Sequence, residues 1–469
     1  MANNLDIVVI GGGAAGFFGA ITCANTYPET NVTILEATKK PLNKVRISGG
    51  GRCNVTHNCF DTARLVQNYP RGGKALRGAF TRFQPQDTVT WFENRGVKLK
   101  TEADGRMFPI TNNSETIVNC LLEEAKKAQI TLRTNAAVKS VKKLENGFEI
   151  GLKTGEILKC DRLLIATGSN PKGIEIAKNL GHKIIRAVPS LFTFNITDPR
   201  LKDLAGIRAD RVNVKLNISC EVQHPRSNAA SRAHHSYTRA RCYPSLSTSS
   251  SSVDSGSPIR TINTIANNKG LPKEMLQKLE QTGPLLITHW GVSGPVILKL
   301  SAWGARVLFE NKYAMELIIN WLPDYNSETL REYFLKIKAQ TPKKKIVNYC
   351  SLPIPKRLWQ SLVNNLGIDR AKPWAELSKK ELNKLVRELI QGRYQITGKG
   401  IFKDEFVTCG GVSLKEINFK TMASKICPGL YFAGEVLDID GVTGGFNFQN
   451  AWTSGWLAGK AMGSYTVSV

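Results

Sequence analysis

The sequence predicts an α/β fold: a Rossmann-like dinucleotide-binding domain built from both ends of the chain. A β-rich domain is inserted between those ends and itself carries a helical subdomain. Three observations predict this. Residues 6–10 form a short apolar β-branched run that leads straight into Gly11-Gly12-Gly13-Ala14-Ala15-Gly16, then a helical stretch at 17–27, then a strand at 32–35 ending in Glu36. Residues 429–451 read as strand, tight turn, acidic loop, glycine pair and helix, so the C-terminus can return beside the first strand. Between them, alternating strand text at 189–196 and 212–218 gives way to helical spacing across 327–391.

Each part of the first unit has a chemical reason. Gly11 lets the strand turn sharply into the helix, Gly13 lets a pyrophosphate approach the backbone, and Gly16 lets helix and strand pack closely. Ala14 and Ala15 open the helix, whose N-terminus offers free N–H groups and the positive end of its dipole to phosphate. Glu36 is placed to accept hydrogen bonds from ribose hydroxyls.

The length of 469 residues suits two or three domains, and 42% hydrophobic residues suffice for a sizeable core. Ten cysteines are scattered without a C-x-x-C pair. That pattern favours reduced thiols over a disulfide framework. With the first strand starting at Asp6, the expectation is a cytoplasmic protein without a presequence. The most apolar long window, 285–304, contains His289 and Lys299 and is broken by Gly291, Gly294 and Pro295, so it reads as buried strand, turn and helix rather than a membrane span. A net charge of +26 suits anionic partners, yet the lysines are spread along the chain rather than clustered, which favours a solvated basic surface without a dedicated partner.

A second glycine cluster follows the ribose acid: Lys44-Val45-Arg46-Ile47-Ser48-Gly49-Gly50-Gly51-Arg52-Cys53-Asn54. Three glycines allow backbone to lie flat against a planar ring. The stretch from Ile47 to Asn54 resembles the signature of the BaiN / aminoacetone-oxidase type FAD flavoproteins, within the glutathione-reductase-like class of FAD proteins. The resemblance implies FAD as cofactor, its pyrophosphate on the first loop, its ribose on Glu36, and its flavin and ribityl chain along Lys44, Ser48, Gly49, Gly50, Arg52, Cys53 and Asn54.

Residues 85–96 read as helix and 97–101 as strand. The turn Asp104-Gly105-Arg106-Met107-Phe108-Pro109 resembles another family element, with Arg106 either binding an anion or pinning the loop to a carboxylate. Residues 114–128 form a helix that Ser114 can cap. Strand pieces at 131–133, 137–144, 147–152 and 157–160 follow, with Asn146-Gly147 as a hairpin turn. By the fold of the resembled class, Val138 lies beside adenine. The next strand, from Arg162, ends in Ala166-Thr167-Gly168, which resembles a second FAD contact.

The segment 221–262 is rich in Ser and Thr and is expected to be a disordered insertion. Cys220, His224, His234, His235 and Cys242 in or beside it match no zinc module, so no metal is expected. Thr288-His289-Trp290-Gly291-Val292-Ser293-Gly294-Pro295 resembles a further family signature. Thr288 and His289 are the catalytic candidates there, with His289 either a general base near the flavin or a histidine packed against backbone. Residues 315–320, 394–397 and 405–409 read as strands, and Lys343-Lys344-Lys345 as a solvated face. The C-terminal stretch closely resembles the family's last FAD motif. It implies Gly434, Glu435, Asp440, Thr443, Gly444, Gly445, Phe446 and Asn447 as cofactor contacts, with the helix start facing the flavin pyrimidine edge.

These readings divide the chain into an FAD-binding domain (1–188 and 409–469), a β-rich substrate domain (189–326 and 392–408) and a helical subdomain (327–391). The expected activity is flavin-dependent hydride transfer to or from a small organic substrate such as an amine or enoate. No second G-x-G-x-x-G is present, so dioxygen and a transiently bound NAD(P)H both stand as electron partners. An FAD-dependent RNA-modifying enzyme, motivated by the charge, and a non-catalytic flavoprotein are the alternatives. No specific nucleic acid partner is expected.

Overall fold

The computed structural model describes residues 4–218, 273–400 and 407–464. The expected insertion at 221–262, its histidines and cysteines, and the first part of the strand expected at 405–409 lie outside these residues.

Strand Asp6–Ile10 sits inside a seven-stranded sheet, parallel to Arg162–Ile165 on one side and to Asn31–Leu35 on the other. Leu430–Phe432 joins beyond Arg162–Ile165, so the last strand of the chain returns to the first sheet. The apolar runs that form these strands are buried on both faces, as a central parallel sheet requires. Thr131–Arg133 extends this sheet at the far edge, whereas Val138–Lys143, Phe148–Leu152 and Ile157–Cys160 form a separate antiparallel meander. Gly147, with φ of 93°, makes the meander's first turn. Ser114 occupies the position before helix Glu115–Lys127, but its hydroxyl donates to the Arg46 carbonyl at 2.7 Å instead of capping the helix. Tertiary contact has taken the group that local capping would use.

A second seven-stranded sheet runs Gly392–Ile396, Met315–Asn320, Arg208–Asn217, Glu280–Thr288, Gly291–Ser293, Phe194–Asn195 and Gly398–Lys399. Helix Pro295–Glu310 packs on it, and helices Ser327–Gln340, Lys356–Asn365 and Lys379–Gln391 cluster beside it. The two sheets have separate cores, one built around Phe17, Phe18 and Trp452, the other around Trp321, Trp359 and Trp374. Strands Ile184–Ser190 and Val407–Val412 pair antiparallel and connect the two halves. Both junctions expected from sequence, at 188/189 and 408/409, fall inside this ladder.

Candidate cofactor and active site

Two helix N-termini meet one cavity of about 1200 Å³. Helix Ala14–Thr26 makes its first backbone bond from Phe17 N–H to the Gly13 carbonyl, so the N–H groups of Ala14, Ala15 and Gly16 have no partner within the helix. Gly11, Gly13, Ala14 and Ala15 line the cavity. Gly11 has φ of +115°, and a Cβ there would stand 2.5 Å from the Ala166 carbonyl oxygen. Gly16 does not line the cavity. A Cβ on it would lie 2.0 Å from the Gly11 oxygen, so its role is the close helix–strand contact.

Glu36, at the tip of strand Asn31–Leu35, lines the cavity. Its Oε2 accepts from Gly12 N–H at 2.9 Å, and its Oε1 from Thr38 N–H and Oγ1 at 2.8 and 2.7 Å. Gly12 and Thr38 were not singled out from sequence, because their part depends on where Glu36 folds back. Val138, Ala166, Thr167 and Gly168 also line the wall.

Residues 43–51 form a helical turn broken at Ser48, Gly49 and Gly50, where the backbone leaves the helical region. Lys44, Ser48, Gly49, Gly50 and Asn54 face the cavity. Lys44 Nζ pairs with Glu435 Oε2 at 2.7 Å and reaches Ser169 Oγ at 3.1 Å, while Glu435 Oε1 accepts from Thr408 N–H at 2.9 Å. Opposite, Gly434, Glu435, Thr443, Gly444, Gly445 and Asn447 complete the wall ahead of helix Phe446–Met462. Asn54, with its amide oriented to satisfy both neighbours, accepts from Gly445 N–H at 2.9 Å and donates to the Thr56 carbonyl at 3.0 Å.

Several expected site residues lie outside the cavity lining. Arg52 pairs with Glu102 at 2.6 Å and stacks on Phe108 at 4.0 Å. Cys53 is fully buried, and burial pushes its thiol up to about 12. Asp440 is fully buried between Arg71, whose Nε donates at 2.5 Å, and Ser190 Oγ at 2.7 Å. Phe446 is buried and stacks on His57 with centroids 4.6 Å apart. Thr288 and His289 are not in the lining either. Thr288 pairs with Gly291, Trp290 accepts from Ile196 N–H at 2.9 Å, and His289 is exposed. The glycine turn carrying them belongs to the second sheet, which offers the cavity Leu298 from its packed helix instead.

The structure brings in groups that the sequence did not mark. Leu191, Leu298 and Val407 reach the cavity from the inserted half and the connecting ladder. His57 holds the Gly444 carbonyl through Nδ1 at 3.0 Å. Burial lowers its pKa from 6.5, the bond to Gly444 and the Asp104 charge oppose that, and the nearby positive charges of Lys299 and Arg106 lower it further. Arg106 lines the cavity. Its Nε and Nη2 bind Asp104 at 2.8 Å and Glu102 at 3.0 Å, leaving Nη1 without a hydrogen bond among the described residues. Both roles read for Arg106 from sequence are thus geometrically open to one side chain. Among the described residues no group of three or more His, Cys, Asp or Glu could hold a metal, and the described cysteines are free thiols.

The residues fit FAD. Gly13 and Gly50 have open space where a Cβ would stand, Thr167 Oγ1 is buried without a partner, and two helix N-termini converge on the cavity. Fold and cavity define an FAD-binding oxidoreductase of the Rossmann type. The model of the family described as HI0933-like protein Rossmann domain matches residues 5–461, and the chain belongs to that family, the BaiN-type flavoprotein group.

Over 463 residues the chain is 28% identical to the ribosomal RNA dihydrouridine synthase of Escherichia coli, covering 97% of each chain. It is 25% identical over 463 residues to the 3-dehydro-bile acid delta(4,6)-reductase of Clostridium scindens, covering 97% of this chain and 98% of that one. Among solved structures, a 3-ketosteroid-delta4-(5alpha)-dehydrogenase from Rhodococcus jostii RHA1 is similar, with a TM-score of 0.46, 12% identity, and coverage of 99% of this chain and 97% of that chain.

Proposed function

We propose that this oxidoreductase reduces a carbon–carbon double bond conjugated to a carbonyl, and that the substrate is a uracil base in RNA. The observation that carries the reading is Arg106, a cavity-lining guanidinium with one uncommitted nitrogen. Bound FAD would supply the hydride, with NAD(P)H as the reductant in this reading. When a hydride adds to the β-carbon of an enone, negative charge develops on the carbonyl oxygen. A preorganised cation there lowers the barrier, and water delivers the balancing proton to the α-carbon. Glu102 and Asp104 hold the guanidinium in place, and His57 holds the Gly444 turn beside it. Residues 1–188 and 409–469 hold the cofactor in this reading, with Gly11, Glu36, Lys44 and Thr443 among its contacts. Residues 189–408 receive the substrate, including the helical part at 327–391.

The names of the two relatives support this chemistry, since both describe products or substrates of double-bond reduction. The net charge of +26 supports RNA over a neutral small molecule. A second reading, a small apolar enone, is favoured by Leu191, Leu298 and Val407 in the wall.

The test is anaerobic incubation of the FAD-loaded protein and NAD(P)H with in vitro-transcribed ribosomal RNA, followed by mass spectrometry of nucleosides. Dihydrouridine should form, and Arg106→Ala should slow it by about 100-fold with flavin content unchanged. Wild-type protein that makes no dihydrouridine but reduces a steroid-like enone would move the assignment to the second reading.

A further inference from the structure

A second hollow, of about 380 Å³, lies on the inserted half and shares no lining residue with the cofactor cavity. Its floor includes buried Trp321 and Leu352, its wall Tyr325 and Pro355, and its rim Arg208 and Arg211.

The local folding explains why these groups meet. Strand Arg208–Asn217 shifts register against Glu280–Thr288 between Ala209 and Val212, and such an irregularity re-aims the side chains within it, here Asp210 and Arg211. Beyond strand Met315–Asn320 the chain turns at once. Asn320 Oδ1 accepts from Leu322 N–H at 2.9 Å, and Tyr325 N–H donates to the Leu322 carbonyl at 3.0 Å. Tyr325 is braced edge-on against Tyr333, with centroids 5.9 Å apart. The third wall is rich in proline, whose fixed φ keeps it rigid. A hollow with walls this constrained loses little conformational freedom when something enters it.

The rim is charged but not locked. Arg208 pairs with Asp210 at 2.8 Å and Arg211 with Asp324 at 2.6 Å, and each of the four side chains is at least 60% exposed. Exposed pairs of this kind hold little net energy, so an incoming phosphate can displace the aspartates. Lys356 and Arg357 follow directly on Pro355, and both are exposed. Across 327–391, Lys and Arg outnumber Asp and Glu more than twofold. The surroundings therefore favour an anion.

An aromatic and apolar hollow whose edge carries two arginines in weak, exposed pairs with Asp210 and Asp324 can accept an unpaired base while its phosphate is held at the edge. We infer that this hollow is a second contact for RNA, taking an unpaired nucleotide of the same molecule whose uracil enters the cofactor cavity. The inference rests on the RNA reading of that cavity. It explains how a polynucleotide is anchored away from the reacting base, with phosphate taking over from Asp210 and Asp324 as the partner of opposite charge for Arg208 and Arg211.

The experiment uses the FAD-loaded full chain and fluorescence anisotropy with a fluorescein-labelled oligouridylate at several salt concentrations. The double variant R208E/R211E should bind about tenfold or more weakly and lower the salt slope by about two. Tyr325→Ala should weaken binding about tenfold with the slope unchanged. Flavin content and Tm report that each variant is folded, and the exposed arginines keep the test sound if loss of Tyr325 disturbs packing. Equal binding by wild type and both variants would overturn the inference while leaving the catalytic reading intact. Free uridine monophosphate competing as well as the oligomer would overturn it too, marking a mononucleotide site. Wild type that neither binds RNA nor forms dihydrouridine would remove both.

Discussion

Helices Ala14–Thr26 and Phe446–Met462 lie side by side and both begin at the cavity, but their first turns are secured differently. The first is held by main-chain contacts and by one side chain, Glu36, whose Oε2 accepts from Gly12 N–H at 2.9 Å. Gly11 and Gly16 press against main-chain atoms, and Gly13 has open space in front of it. The second is held by side chains from far along the chain. Asn54 takes Gly445 N–H, Tyr69 donates to the Phe446 carbonyl at 2.7 Å, and His57 holds the Gly444 carbonyl. Below it, Gln449 Oε1 accepts from Thr56 at 2.6 Å and Thr88 at 2.9 Å inside the core. The first turn therefore rests mainly on the first strand–helix–strand unit and on the main chain at Ala166, while the other depends on side chains of the N-terminal third folding against it. Where the helices touch, glycine is required on the second. A Cβ on Gly455 would stand 2.6 Å from the Ala15 oxygen, and one on Gly459 2.5 Å from the Gly19 oxygen.

The strongest way to break the pair is to force the helices apart. Gly455→Val should cost about 3 kcal/mol or more and leave little soluble, flavin-bearing protein, read as soluble yield and Tm. Soluble yellow protein with an unaltered Tm would contradict the close approach.

Next in size is the first turn itself. Gly11→Ala places a side chain at φ of +115° against the Ala166 carbonyl, so the protein should purify with its flavin absorbance largely lost. The outcome to look for against this is stoichiometric FAD in the purified variant.

The second turn should yield more gently, because several side chains share it. Asn54→Ala should lower stability by about 1 kcal/mol while keeping FAD, measured by denaturant unfolding of the flavin-loaded protein. A complete loss of FAD would mean that the two turns are equally demanding.

The smallest effect separates the turns by pH. Burial holds His57 below its ordinary 6.5, so the unfolded chain takes up a proton that the folded one resists. This contribution to stability is complete above about pH 6.5 and is lost as pH falls through the lowered folded value. His57→Gln should flatten part of the fall in Tm between about pH 7 and pH 5. An unchanged Tm profile would show that His57 does not resist protonation. His182, buried and bonded to Ser424 at 2.8 Å, titrates in the same direction and accounts for a remaining slope.

Local text carried much of the fold. The strand expected at 315–320 forms as Met315–Asn320, and the window at 285–304 folds as strand, turn and helix, because period and breakers are short-range signals. No helix among the described residues is long and apolar enough to cross a membrane. The cavity was less legible. Thr288 and His289 stand in a glycine turn that looks like a site in one dimension, but strand Phe194–Asn195 and its neighbours claim that turn for the second sheet. Leu191 and Leu298 carry no motif and gain their place only from domain packing.

The sequence by itself determined the first strand, glycine turn, helix and acid, since each depends on neighbours a few bonds away and on the backbone freedom of glycine. Tertiary structure alone decided which side chains close the cavity around Gly444, which cation faces it, and which expected contacts, such as Asp440, are drawn into buried pairs instead. Those outcomes compare partners hundreds of residues apart, and burial sets the energy of a polar group only after the surfaces that bury it have met.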